Sequence, residues 1–139
     1  MLALVALGAV PSASLAAGEV LHGPIPAQIV SVYDGDTITV RARIWLGQAV
    51  ETQVRLDGID TPELKGKCKG EKKLAQKARD FLIELAGDTV TLRDIHYGKY
   101  AGRVVARVFT ERGEDIVAAL LNAGHGRLYS GGKRQGWCQ

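Results

Sequence analysis

The chain has 139 residues, 46% hydrophobic and 24% charged, a globular composition sized for one core. It shows no internal repeat and no linker that would divide it, which excludes repeat arrays and multidomain arrangements. The net charge is +3 and the pI near 9.0, with Lys65, Lys67, Lys69, Lys72, Lys73, Lys77 and Arg79 crowded together, either as a solvated face or as a surface that meets a polyanion.

In chain order, residues 1–17 carry no charged side chain, are rich in Ala, Leu and Val, and place the small residues Ser14 and Ala16 where a cleavage site is expected. This stretch reads as the apolar part of a secretory signal, leaving 18–139 as a single domain. Pro11 and the small residues make it a poor membrane span, so no membrane attachment is expected of the mature form. Ala27 to Tyr33 is a first strand, Asp34-Gly35 a tight-turn signal, and Thr37 to Ile44 a second strand that alternates polar and apolar. After Gly47-Gln48, the residues Val50, Thr52, Val54 and Leu56 form the inward row of a third strand.

A lysine-rich loop leads to a helix over about Glu71 to Ala86, with Leu74, Ala78, Phe81, Leu82 and Leu85 on one stripe and Gly87 at its end. Thr89 to Asp94 is a fourth strand, His96 to Gly102 a link, and Arg103 to Thr110 a fifth strand with Val104, Ala106 and Val108 inward. A short helix from about Asp115 to Asn122 ends at Gly124, and the remainder reads as irregular. The order β-β-β-α-β-β-α is that of a five-stranded OB-fold barrel, mainly β with helices (α+β). The cysteines Cys68 and Cys138 fit a bridge in an exported protein. It would stabilise by roughly 4 kcal/mol and pin the tail to the loop after Glu63.

Chemistry concentrates in Val54 to Glu63, which packs Arg55, Asp57, Asp60 and Glu63 into one strand-to-bend segment ended by Pro62. Arg55 alternates with Val54 and Leu56 and so points away from the core, and the bend is expected to hold its carboxylates unburied. By itself such a segment is as readily an acidic, solvated turn. Two further pieces change that balance: Asp34-Gly35-Asp36-Thr37 upstream and Lys99-Tyr100-Ala101-Gly102-Arg103 downstream.

The ordered set of these three motifs, spread over about Ile29 to Tyr129, resembles the staphylococcal-nuclease-like (thermonuclease) family. The resemblance implies an OB-fold phosphodiesterase that uses Ca2+ to cut DNA and RNA. It implies that Asp36 and Asp60 ligate calcium together with the Thr61 carbonyl, a hard oxygen set suited to that ion. It also implies that Glu63 is the general base for an attacking water, and that Arg55 and Arg103 grip the phosphate with guanidinium forks. Lys99 and Tyr100 correspond to substrate contacts, although Ala101 separates Tyr100 from Gly102 where the family more often has Tyr-Gly-Arg. Tyr129 is either a stacking tyrosine or a core side chain. The best-known members continue into a third long helix, and here the Cys138 bridge replaces what that helix holds.

These residues lead to the expectation of an exported, monomeric, calcium-dependent nuclease acting on DNA or RNA, single-stranded by preference, with 3′-phosphate products. The competing expectation is an OB-fold module that binds single-stranded nucleic acid without cutting it. Against it stands the acidic set, which repels a polyanion unless a cation lies between. A third reading is a secreted, calcium-stabilised interaction domain.

Overall fold

The computed structural model describes residues 18–138, so the signal expected over residues 1–17 lies outside them. Its elements are β1 (Val20–Leu21), β2 (Ile25–Asp34), β3 (Thr37–Trp45), β4 (Gln48–Leu56), β5 (Ile59–Asp60), α1 (Lys69–Ala86), β6 (Thr89–Tyr97), β7 (Arg103–Thr110), α2 (Ile116–Asn122) and β8 (Arg127–Leu128). Strands β2, β3 and β4 form an antiparallel meander, β7 lies parallel to β4, and β6 pairs with both β7 and β2. That last pairing closes a five-stranded barrel in the expected OB-fold order.

Alternation in the strands fills the barrel. Ile38, Val40, Val54, Leu56, Val90, Leu92, Ala106 and Val108 are buried, and α1 and α2 cover one end with Leu82, Ala86, Ile116 and Leu120. Helix α1 starts at the N-cap Cys68 and stops at Gly87, whose φ of 61° lies in the left-handed region open to glycine. Helix α2 is capped by Asp115, which accepts from the amides of Val117 and Ala118.

Several expectations need correction. Leu74 is 43% exposed, because the buried stripe of α1 runs through Glu71, Ala75, Ala78, Leu82 and Ala86, one step round the helix. Val50 is 44% exposed, since the start of β4 projects past the barrel end in the hairpin with β3. Strand β6 continues to Tyr97 through a register shift between Arg93 and His96, with Asp94 at φ 50° inside it. The link to β7 is therefore shorter than His96 to Gly102. The tail is not wholly irregular either, because β8 pairs with β5 through Ile59↔Leu128 and Asp60↔Arg127. Val54 to Glu63 is likewise broken by a turn at Asp57-Gly58, so β4 ends at Leu56, well before Pro62.

Candidate active site

The β2–β3 turn places Asp36 against the segment after β5. Gly35 is needed there: a Cβ on it would meet the Ala78 Cβ at 2.7 Å and the Thr61 Oγ1 at 2.9 Å, closer than packed atoms approach. The Asp36 carboxylate accepts from the Thr61 amide at 3.1 Å and the Thr37 hydroxyl at 2.9 Å, and pairs with the Arg55 Nη1 at 2.9 Å. Arg55 also donates to the Ile59 carbonyl at 3.0 Å. Thus Asp36, Arg55 and the Asp60–Thr61 peptide form one connected unit.

Asp36 and Asp60 are each only 3% exposed and Thr61 is fully buried. The expectation that the bend holds its carboxylates unburied is therefore wrong for Asp60. The β5–β8 pair and the turn of β2 and β3 close over both aspartates, and burial is tolerated because each has a guanidinium partner. Glu63 is exposed, as expected. Among the described residues the Thr61 hydroxyl is buried without a hydrogen-bond partner, packed against Gly35.

Asp34 sits behind Asp36 and accepts its amide at 3.1 Å. Burial, then the neighbouring Asp36 charge, push the Asp34 carboxyl up to about 7.

The parallel register sets Arg103 of β7 opposite Gln53 of β4, one outward step along from Arg55. A cleft of about 1060 Å3 is lined by Asp36, Arg55, Glu63, Lys99, Tyr100, Arg103 and Tyr129, so these expected site residues share one surface. Arg103 lies 5.1 Å from the Tyr100 ring centre and Arg55 5.7 Å from that of Tyr129, leaving both arginines facing aromatic rings. Tyr129 is half-buried at the cleft wall rather than in the core, and its hydroxyl donates to the Gly132 carbonyl at 2.7 Å.

Three residues at the site escape the sequence analysis. Arg134 reaches from the tail to Asp60 and Glu63, and donates to the Thr61 carbonyl at 3.4 Å. Burial tends to lower the Arg134 pKa, but the hydrogen bond and charge of Asp60, together with Glu63, outweigh it and hold the group above its ordinary value. Trp137 donates its ring N–H to Asp60 at 3.3 Å. Glu71, buried in the first turn of α1, accepts from the amides of Glu63 at 3.3 Å and Lys67 at 3.0 Å and so fixes the loop that carries Glu63. The cysteines do form the expected bridge, with Cα atoms 6.0 Å apart. That bridge was the available signal: a tail fastened at Cys138 to the loop after Glu63 carries Arg134 into reach of the carboxylates.

The cleft sets the Asp36 and Glu63 carboxylates beside two arginines and an aromatic wall, a lining suited to a phosphodiester, while Asp60 and Thr61 do not line it but lie buried in the segment that braces Asp36. A search of curated proteins finds no match to the chain. The staphylococcal nuclease homologue family model matches residues 53–136, a stretch that holds Arg55, Asp60, Thr61, Glu63, Lys99, Tyr100, Arg103, Tyr129 and Arg134 and begins after Asp36. With more than half of its length matched and the barrel closed in the OB-fold order, the chain belongs to the staphylococcal nuclease homologue family.

Proposed function

We propose that the chain is an exported, monomeric, calcium-dependent nuclease that hydrolyses phosphodiester bonds of single-stranded DNA or RNA and leaves 3′-phosphate ends. The single observation that carries this reading is the shared cleft, in which Asp36, Glu63, Arg55 and Arg103 face one volume. Support for calcium comes from the donors: the Asp36 and Asp60 carboxylates and the Thr61 carbonyl are hard oxygens, and the Thr61 hydroxyl lacks a partner among the described residues. These residues fit the ion and would hold it. Bound there, calcium supplies positive charge that draws in a phosphate oxygen and offsets the charge gathered at phosphorus.

The chain's own residues would do the rest. Arg103, with no carboxylate partner among the described residues, grips a non-bridging oxygen, while Arg55 does so from a position fixed by Asp36 and Ile59. The Glu63 carboxylate takes the proton of the attacking water, and as the new bond forms the 5′ oxygen departs on the opposite side and takes a proton from solvent water to leave as the alcohol. Lys99, Tyr100 and Tyr129 hold the flanking phosphate, sugar and base, which favours strands whose bases are free to stack. Support for export comes from the Cys68–Cys138 bridge, which suits an oxidising compartment. Among the described residues no helix is long and apolar enough to cross a membrane.

One observation favours the binding-module reading: Arg134 already engages Asp60 and Glu63. Degradation of heat-denatured DNA separates the two, measured with calcium, with magnesium and with a chelator, beside an Asp60→Ala control. Cutting by the parent with calcium alone is expected; DNA that is bound but left intact under every condition would replace the nuclease with the binding module.

A further inference from the structure

The tail brings a cation of its own into the carboxylate pocket. Arg134 contacts Asp60, Glu63 and the Thr61 carbonyl, two of which belong to the set assigned above to calcium and the third to the base. The segment bearing it is fastened on both sides. Before it, β8 pairs with β5 and the Tyr129 amide donates to the Gly58 carbonyl at 2.9 Å. After it, Trp137 is tied to Asp60 and stacked under Arg127 at 3.6 Å, Arg127 donates to the Gly136 carbonyl at 3.0 Å, and Cys138 is bridged to Cys68. Between the fastenings Ser130 to Gln135 is exposed, with Gly131 and Gly132 at φ 97° and 86°. A strap held at its ends and glycine-jointed in the middle can lift its arginine without releasing either end.

Resting on the calcium reading, we propose that Arg134 is a tethered competitor for the divalent ion, so that its occupancy of the Asp60, Thr61 and Glu63 oxygens sets the affinity of the site for the metal. A carboxylate as buried as Asp60 requires a countercharge. A guanidinium and a calcium ion against the same Asp60 oxygens weaken each other's hold, because their mutual repulsion is strong where water is excluded. The tether keeps the guanidinium at high effective concentration, and the measured metal affinity is lowered by the fraction of time the fork is in place. The planar fork suits this role because it reaches two carboxylates at once, which a lysine ammonium does less well.

The test is calorimetric titration of calcium into the full chain, its Arg134→Gln and Arg134→Lys variants, and the Cys68→Ser/Cys138→Ser variant, with melting curves of each in chelator and in calcium. Arg134→Gln should bind calcium about ten- to hundredfold more tightly than the parent, the scale on which removing a competing state restores affinity. Arg134→Lys should fall between the two, and the bridge variant should gain affinity because its strap loses the covalent fastening at one end. In chelator Arg134→Gln should melt below the parent, and calcium should raise its Tm by more than the parent's. Equal or weaker calcium binding by Arg134→Gln, with the parent binding, would overturn the competition and leave the calcium reading intact. If Arg134→Gln fails to fold, Arg134→Lys and the bridge variant carry the test, and parental affinity in both would overturn it. Absence of calcium binding in all four would overturn both readings together.

Discussion

The two walls of the cleft are built differently. One wall, Asp36 and Arg55 braced by the buried Asp60–Thr61 segment, lies at strand ends and is joined by backbone and side-chain hydrogen bonds, so each group is held from more than one direction. The other wall, Lys99, Tyr100 and Arg103, stands on a short exposed link and the first residue of β7, and its internal contact is Arg103 over the Tyr100 ring. The contrast separates two tasks. On the proposed reading, a group that meets the reacting phosphate gains from being in place before it arrives, as Arg55 is. Lys99 and Tyr100, which meet a strand of variable sequence, gain from latitude, and Arg103 is the one phosphate-gripping group carried on the second wall.

Arg55 and Arg103 give the sharpest way to break this comparison, since they are the same residue type assigned the same task. Arg55→Met strands the buried Asp36 carboxylate and should destabilise by roughly 3–5 kcal/mol in urea unfolding. Arg103→Met removes a half-exposed side chain without an ion pair among the described residues and should change stability by under about 1 kcal/mol. Both should lose most of their turnover. Equal stability losses would mean that the walls do not differ in preorganisation.

The bridge is next in size. Replacing Cys68 and Cys138 together with serine should cost roughly 2–4 kcal/mol by loop entropy, read as a fall in the urea midpoint with a steeper slope as the unfolded chain, no longer cross-linked, expands. On the exposed wall, Tyr100→Ala should weaken binding of a short single-stranded oligonucleotide by about 1–3 kcal/mol while leaving turnover at saturation near the parent's. A fall in turnover without a change in binding would place Tyr100 on the rigid side.

The last effect, a dependence on pH, concerns Asp34, behind the rigid wall. Its folded pKa, about 7, is raised above the unfolded value, so the folded state holds the proton more tightly and loses stability as pH climbs from about 4 to about 7. Asp34→Asn keeps an acceptor for the Asp36 amide and should flatten that part of the stability profile, as followed by Tm against pH in chelator.

What was legible in the sequence follows the same division. The alternation from Thr37 to Ile44, the Asp34-Gly35 signal and the Arg103 to Thr110 run each record a local choice between core and water, and the barrel order follows from them. The extension of β6 to Tyr97 was not legible, because it passes through a register shift at a left-handed aspartate that reads locally as a strand end. Nor was the burial of Asp36 and Asp60, which depends on β8 arriving from nearly seventy residues away. Arg134 falls in the remainder that reads locally as irregular. Only the bridge, combined with the β5–β8 pairing, brings it to the carboxylates.

The central claim is that the cleft performs hydrolysis, with the exposed Glu63 removing the proton from water. Single-turnover cleavage of an end-labelled single-stranded oligonucleotide in calcium, by the parent and by Glu63→Gln, tests it most directly. The account predicts fragments ending in 3′-phosphate from the parent, and from the variant a rate lower by about 10²–10⁴ with the oligonucleotide still bound. Cleavage by Glu63→Gln at the parental rate would contradict it.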